Sequence, residues 1–280
     1  YYLIVSARDT DGSGQILLYE SRDAFHWEFA SVLIKNDSST GVMWECPDLF
    51  SIGEKDVLLV SPMDGMPEAL IGRFDRERKV FYPESVQTID PGPDFYAPQT
   101  VLTPDGRRVM IGWLQNWDTA PAMREEHLKW IGQMSLPREL SIIDGRLYQK
   151  PIRELEEHRN NPVQYLDALV EGSEAKGAVA DTEDGNGIEY TFPGIHGRCL
   201  DLTVRIRPED PDRLFESFTM KFNSSGKQFS MLIWRPKEQV LKIDRKFSGS
   251  RRAIIHQRRA LVPSEDGSVV IRLILDRYSA

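Results

Sequence analysis

The feature that most constrains this chain is a self-similarity with a period of about fifty residues. The strings YLIVSARD from Tyr2, VLLVSPMD from Val57 and VMIGWLQN from Val109 align, each an apolar strand that ends in a small or polar loop. A second register agrees. ECPDLF from Glu45 and YAPQTV from Tyr96 both begin on a polar side chain, pass a proline and enter an apolar strand. Between these anchors lie the strand-like runs Gln15–Tyr19, His26–Val32, Glu68–Phe74 and Lys79–Val86, with turns at Asp11-Gly12, Asp64-Gly65 and Asp105-Gly106. Short antiparallel strands in fours at this period are the signature of β-propeller blades. The chain carries part of one blade and two nearly whole ones, about three in all. Three blades do not close a ring, so the pattern predicts a propeller that begins upstream of Tyr1.

The repeat also predicts where chemistry sits. Blade strands run up and down, so the start of a first strand and the end of a second lie on one face. Glu45 and Tyr96 therefore take equivalent places beside the central channel. The loops Ser6–Gly14, Ser61–Glu68 and Gln115–Lys129 rim that same face.

After Pro137 the register is lost. Pro151–Arg159 reads as a short helix with proline in its first turn, and Asn160-Asn161-Pro162 as a linker. From Gln164 a strand pattern resumes without the fifty-residue period. Leu200, Leu202, Val204 and Ile206 alternate, as do Val269, Ile271, Leu273 and Leu275, and Phe215–Arg235 reads as a hairpin around Asn223-Ser224-Ser225-Gly226. The expected organisation is all-β: propeller blades over residues 1–150, a linker with a short helix over 151–163, and a β-sandwich over 164–280.

Composition excludes several functions. A net charge of −8 argues against a broad polyanion-binding surface, and hence against nucleic acid. No apolar run approaches the roughly 20 residues needed to span a bilayer. A local exception is the basic stretch Lys242, Arg245, Lys246, Arg251, Arg252, Arg258 and Arg259, read as a solvated strand face or as an anion contact. Cys46 and Cys199 are too few for a disulfide framework and match no metal-ligand spacing. Asn36 and Asn223 begin glycosylation-type triplets. The chain opens on what reads as a core strand, so localisation is not written at this end.

Glycoside hydrolysis needs two carboxyl groups flanking the scissile bond, one of them protonated. Glu45, between Trp44 and Cys46-Pro47, sits among apolar neighbours that suit the proton-donating role; the plain alternative is a solvated strand-edge glutamate. Asp48 offers a second carboxylate or, by its place inside the strand, a structural turn acid. Asp94 reads as a loop cap. Tyr96 offers an aromatic face and a hydroxyl to a sugar ring, or is a core tyrosine. Trp113, Trp117 and Trp130 divide in the same way between pocket and core.

The segments WECPDLF (Trp44–Phe50) and FYAPQ (Phe95–Gln99) resemble glycoside hydrolase family 32, the β-fructofuranosidases. IGWLQNWD around Trp113 and GQMSLPREL (Gly132–Leu140) fit the same pattern. The resemblance is strong from Tyr2 to Leu140 and weaker afterwards. It implies a five-bladed propeller followed by a sandwich, and a retaining mechanism on sucrose, sucrose 6-phosphate or short fructans. Glu45 would be the acid/base; Tyr96, Trp113, Trp44 and Cys46 would contact substrate. No metal or organic cofactor is implied. The GQMSLPREL segment reads as structural, with Arg138 and Glu139 as a pair. The family's nucleophile and transition-state-stabilising aspartates lie in WMNDPNG-like and RDP segments, and neither motif occurs here. The expectation is an N-terminally incomplete hydrolase, inactive alone, with a small carbohydrate substrate, no nucleic-acid or membrane partner, and self-association through exposed blade edges. A fructan exohydrolase, an inverting propeller glycosidase of a related family (of which ECPD is not the signature) and a non-catalytic sugar-binding module are the competing readings.

Overall fold

In the first sheet, the strands β1 (Tyr2–Arg8), β2 (Gly14–Glu20) and β3 (Glu28–Lys35) form an antiparallel meander. A second sheet follows, β4 (Trp44–Ile52), β5 (Lys55–Pro62), β6 (Glu68–Asp75) and β7 (Val80–Thr88), paired in sequence order. The third contains β8 (Phe95–Leu102), β9 (Arg108–Leu114), β10 (Gln133–Met134), β11 (Arg138–Ile143) and β12 (Arg146–Pro151). The computed structural model describes residues 1–37, 41–114, 130, 132–171, 190–225, 227–248, 255–276 and 279. The loop 115–129 with Trp117, together with Gly226, Arg251 and Arg252, lies outside the described residues. Contacts divide the chain into two units, Tyr1–Glu154 and Leu155–Ala280.

The fifty-residue period is a structural period. Of the three strings aligned above, β5 and β9 take the same place, each paired with the strand before it and with those after it, while β1 begins a three-stranded sheet and is likewise followed by its antiparallel partners. What stacks the sheets is visible in β5, where Val57, Leu58, Leu59 and Val60 are all fully buried. Side chains alternate faces along a strand. Val57 and Leu59 therefore join a cluster with Phe95, Met110, Leu140 and Leu147 of the third sheet. Leu58 and Val60 join another with Ile16, Leu18 and Leu33 of the first. Burial on both faces explains why β5 reads as an unbroken apolar run rather than an alternating one. Polar side chains tie neighbouring sheets as well. Gln87 donates to Leu147 O at 2.8 Å and accepts from Leu147 N at 3.1 Å.

Local chemistry adjusts the expected boundaries. β3 begins at Glu28 rather than His26 because the Asp23 carboxylate accepts from the backbone N–H of Phe25 at 2.9 Å and of His26 at 2.8 Å, holding both in a turn. The strand after β9 is broken in two: β10 pairs with Trp113 and Leu114, β11 with Arg108–Met110. Pro137 lies in the break and can donate no ladder bond. Ser135 spans the gap, its N–H donating to Gly112 O at 2.8 Å and its Oγ accepting from Gly112 N at 3.0 Å. Arg138 and Glu139 do not pair with each other. As strand neighbours they point to opposite faces. Arg138 binds Asp90 at 2.7 Å, whereas Glu139 binds Arg107 at 3.0 Å and Arg153 at 2.6 Å.

In the second unit the expected helix is a short 3-10 turn, Arg153–His158, that begins in the first unit. The strand pattern read from Gln164 differs from the structure. Among the described residues the next strand is β13 (Leu200–Ile206). Leu166 and Leu169 before it are exposed, so their apolar character marks no buried face. β13 pairs antiparallel with β18 (Val269–Leu275), and the alternating sets meet across the ladder as Leu202↔Leu273 and Val204↔Ile271. β14 (Phe218–Ser225), β15 (Gln228–Arg235), β16 (Val240–Asp244) and β17 (Gln257–Leu261) form the other sheet. Trp234, fully buried, shares a cluster with Ile206, Val269 and Ile271, which packs the two sheets face to face as a sandwich. Lys242 of the basic stretch is buried beside Asp244 at 3.3 Å, so it is not part of a solvated cationic face.

Candidate active site

Glu45 and Tyr96 begin equivalent inner strands, and the same backbone device shapes both. In β4 the register shifts between Glu45 and Asp48, where Cys46 and Pro47 together face Val60. In β8 it shifts between Tyr96 and Gln99, where Ala97 and Pro98 face Gly112. Cys46 and Ala97 both take φ of 49°, an uncommon left-handed conformation for residues with a side chain. A bulge of this kind bends the strand and re-aims the side chain before it. The proline of each motif falls inside the bulge, where its missing N–H costs no ladder bond. ECPD and YAPQ are thus one structural unit used twice.

The bulges bring the two leading candidates together. The Tyr96 hydroxyl donates to Glu45 Oε2 at 2.7 Å, with a longer approach of 3.2 Å to Ser61 O. Both side chains are half-buried. Burial first, then the neighbouring Glu45 carboxylate, pushes the Tyr96 hydroxyl far above the usual tyrosine range, so it remains a neutral donor. Ser61 is fully buried opposite Glu45 in the β4–β5 register, and its Oγ accepts from Ala97 N at 3.2 Å. The sequence placed Ser61 only at the start of a rim loop; it lies instead within β5, and its pairing register is what sets it at the site.

The remaining candidates sort by face. Trp44 is 2% exposed in the inter-sheet cluster with Leu18 and Leu33. Alternation turns it away from Glu45 and into the core. Cys46 is a half-buried free thiol, pushed up by burial and then by Glu45, and its carbonyl accepts from Gln99 Nε2 at 3.1 Å. Trp113 lies directly opposite Tyr96 in the β8–β9 pair and is half-buried. Gly132 passes so close that a Cβ there would stand 2.7 Å from the Trp113 indole nitrogen. Trp130, by contrast, is 52% exposed. Asp48 accepts from Thr100 N at 2.7 Å, joining β4 to β8 as a structural acid would. Burial pushes its carboxyl up, against the opposing pull of Thr100 and Arg108. At the turn before β8, Asp90 accepts from Gly92 N at 2.7 Å and binds Arg138. Asn36 is buried, with its amide donating to Gly41 O at 2.5 Å.

Propeller-type sheets that meet at a bulge-borne glutamate, with a sandwich behind them in sequence, define a β-propeller/β-sandwich protein. Residues 1–151 match the family model described as the glycosyl hydrolases family 32 N-terminal domain, and the chain belongs to that family. It is 37% identical over 171 residues to a sucrose-6-phosphate hydrolase of Escherichia coli, covering 57% of this chain and 35% of that protein. A sucrose-6-phosphate hydrolase of Zymomonas mobilis is 28% identical over 302 residues, covering 100% of this chain and 54% of the relative. Among solved structures, a Bombyx mori GH32 beta-fructofuranosidase superposes with a TM-score of 0.69 at 26% identity, covering 99% of this chain and 54% of the other. The sucrose-6-phosphate hydrolase of Lactobacillus gasseri gives a TM-score of 0.75 at 23% identity, with 99% and 55% covered, a likeness of fold. The chain thus spans between about a third and about half of these relatives' lengths.

Proposed function

We propose that this chain carries the acid/base half of a retaining hydrolase of terminal β-D-fructofuranosides such as sucrose or sucrose 6-phosphate. Glu45 gives its proton to the leaving-group oxygen in the first displacement and takes one from water in the second. Tyr96 holds the carboxylate in place through the 2.7 Å hydrogen bond, the observation that carries this reading, and offers its ring to the sugar. Trp113, opposite Tyr96, adds a second aromatic wall. The Cys46 backbone bulge aims Glu45. The nucleophile comes from outside residues 1–280. Residues 1–150 are then the catalytic-domain portion, 151–163 the linker and 164–280 the sandwich. Support for the substrate class comes from relatives named sucrose-6-phosphate hydrolase and raffinose invertase.

The test is Glu45→Gln in a full-length protein containing this chain. Acid/base catalysis contributes roughly 10²- to 10⁴-fold, so sucrose hydrolysis should fall by that factor. Fructosyl transfer from an aryl fructoside with an acidic phenol, which leaves without a proton, should show a much smaller defect in the first step. Full sucrose hydrolysis by Glu45→Gln removes Glu45 from the mechanism. An equal loss on both substrates in the first step assigns it a role other than proton donor.

A further inference from the structure

We infer that Ser61 is the positioning residue of this site, fixing the Tyr96 hydroxyl against the Glu45 carboxylate through its side chain and its carbonyl together. The inference rests on the acid/base reading of Glu45.

Ser61 is tied to both halves of the pair. In the β4–β5 ladder it is the residue opposite Glu45, so the two backbones move as one. Its Oγ accepts from the N–H of Ala97, the residue directly after Tyr96 and the one in the left-handed conformation. That bond fixes the bulge of β8 from the neighbouring sheet. Its carbonyl oxygen, 3.2 Å from the Tyr96 oxygen, is a second acceptor for the hydroxyl proton that Glu45 Oε2 holds at 2.7 Å. A phenol with two acceptors and one proton is confined in orientation as well as distance.

Two observations argue that this is more than core polarity. Ser61 is fully buried, so water does not replace the Oγ contact if the side chain is lost. The repeat itself does not demand a serine: the residue opposite Tyr96 in the next sheet is Trp113, not a small hydroxyl. Serine stands where one sheet must be registered against the catalytic glutamate of its own sheet and the tyrosine of the next. Misplacement of a catalytic group by about 1 Å costs up to about 10²-fold in rate.

The experiment is a double-mutant cycle in the full-length protein, read as kcat and KM for sucrose with melting temperature alongside. Ser61→Ala should lower kcat about tenfold while KM changes less than about threefold. In a Tyr96→Phe background the same substitution should cost less than about threefold, because the hydroxyl it positions is already gone. Ser61→Thr keeps the hydroxyl and should hold kcat within about threefold of the parent, which covers the case in which Ser61→Ala does not fold. Equal losses from Ser61→Ala in both backgrounds overturn the inference, as does an unchanged kcat in Ser61→Ala. A tenfold slower Ser61→Thr with the parent's melting temperature overturns it too. Glu45→Gln, assayed in parallel, separates the two levels. If it keeps full activity, the acid/base reading fails and this inference with it. If it is inactive while Ser61→Ala costs the same in both backgrounds, only the role of Ser61 falls.

Discussion

Replacing Asp48 tests whether the second carboxylate of ECPD belongs to the chemistry or to the frame. Its Oδ2 accepts from Thr100 N at 2.7 Å, from one inner strand to the next. A hydrogen bond to a charged group contributes about 1.5–3 kcal/mol, and removing one partner leaves the other desolvated and unpaired. Asp48→Ala should therefore destabilise by about 2 kcal/mol, equivalent to a fall of about 4–8 °C in melting temperature for a unit of this size. Asp48→Asn should behave differently. Burial raises this carboxyl above its ordinary value, so the folded state penalises the ionised form, and that penalty grows as pH rises through the folded value. A neutral amide keeps an acceptor for Thr100 and escapes the penalty, so it should melt within about 1 kcal/mol of the parent at neutral pH. Thermal melts give the stability, and sucrose hydrolysis by the full-length protein gives the activity. The expected result is Asp48→Asn folded and active, with Asp48→Ala destabilised. A folded but inactive Asp48→Asn refutes the reasoning and makes Asp48 a participant in catalysis.

Two further predictions concern the frame. At Gly72, a Cβ would lie 2.0 Å from Tyr82 O and 2.9 Å from Pro83 Cα, both backbone atoms that cannot swing aside, at the bulge between β6 and β7. Gly72→Ala should cost about 3 kcal/mol or more, and an unchanged melt would show that the two strands are not held this closely. Glu139 is held down to about 2 by its hydrogen bonds to Arg153, with Arg107 adding to them. A depressed carboxyl stabilises the fold fully above its ordinary range and loses that contribution as pH falls toward the folded value. The gap in melting temperature between the parent and Glu139→Gln should accordingly shrink from about pH 5 to about pH 3; a constant gap would deny the linkage.

The sequence by itself determined what depends on local order. Period and alternation were enough to align the strings of β1, β5 and β9, and to put Leu202 with Val204 on one strand face and Ile271 with Leu273 on another, because strand geometry fixes which residues share a face; that these two faces belong to paired strands was decided by the fold. The equivalence of Glu45 and Tyr96 was likewise legible from two prolines at one spacing. Only the tertiary structure decided which partner each residue meets. Trp44 and Glu45 are adjacent in sequence, yet one enters the core and the other the site. Arg138 and Glu139 carry opposite charges side by side, yet each is satisfied by a residue distant in sequence. Ser61 looks like any strand serine until packing sets its hydroxyl against Ala97 of the next sheet. Contacts between sheets join residues 35 to 60 positions apart, and no local pattern encodes which polar atom will be left facing which when two twisted sheets close on each other.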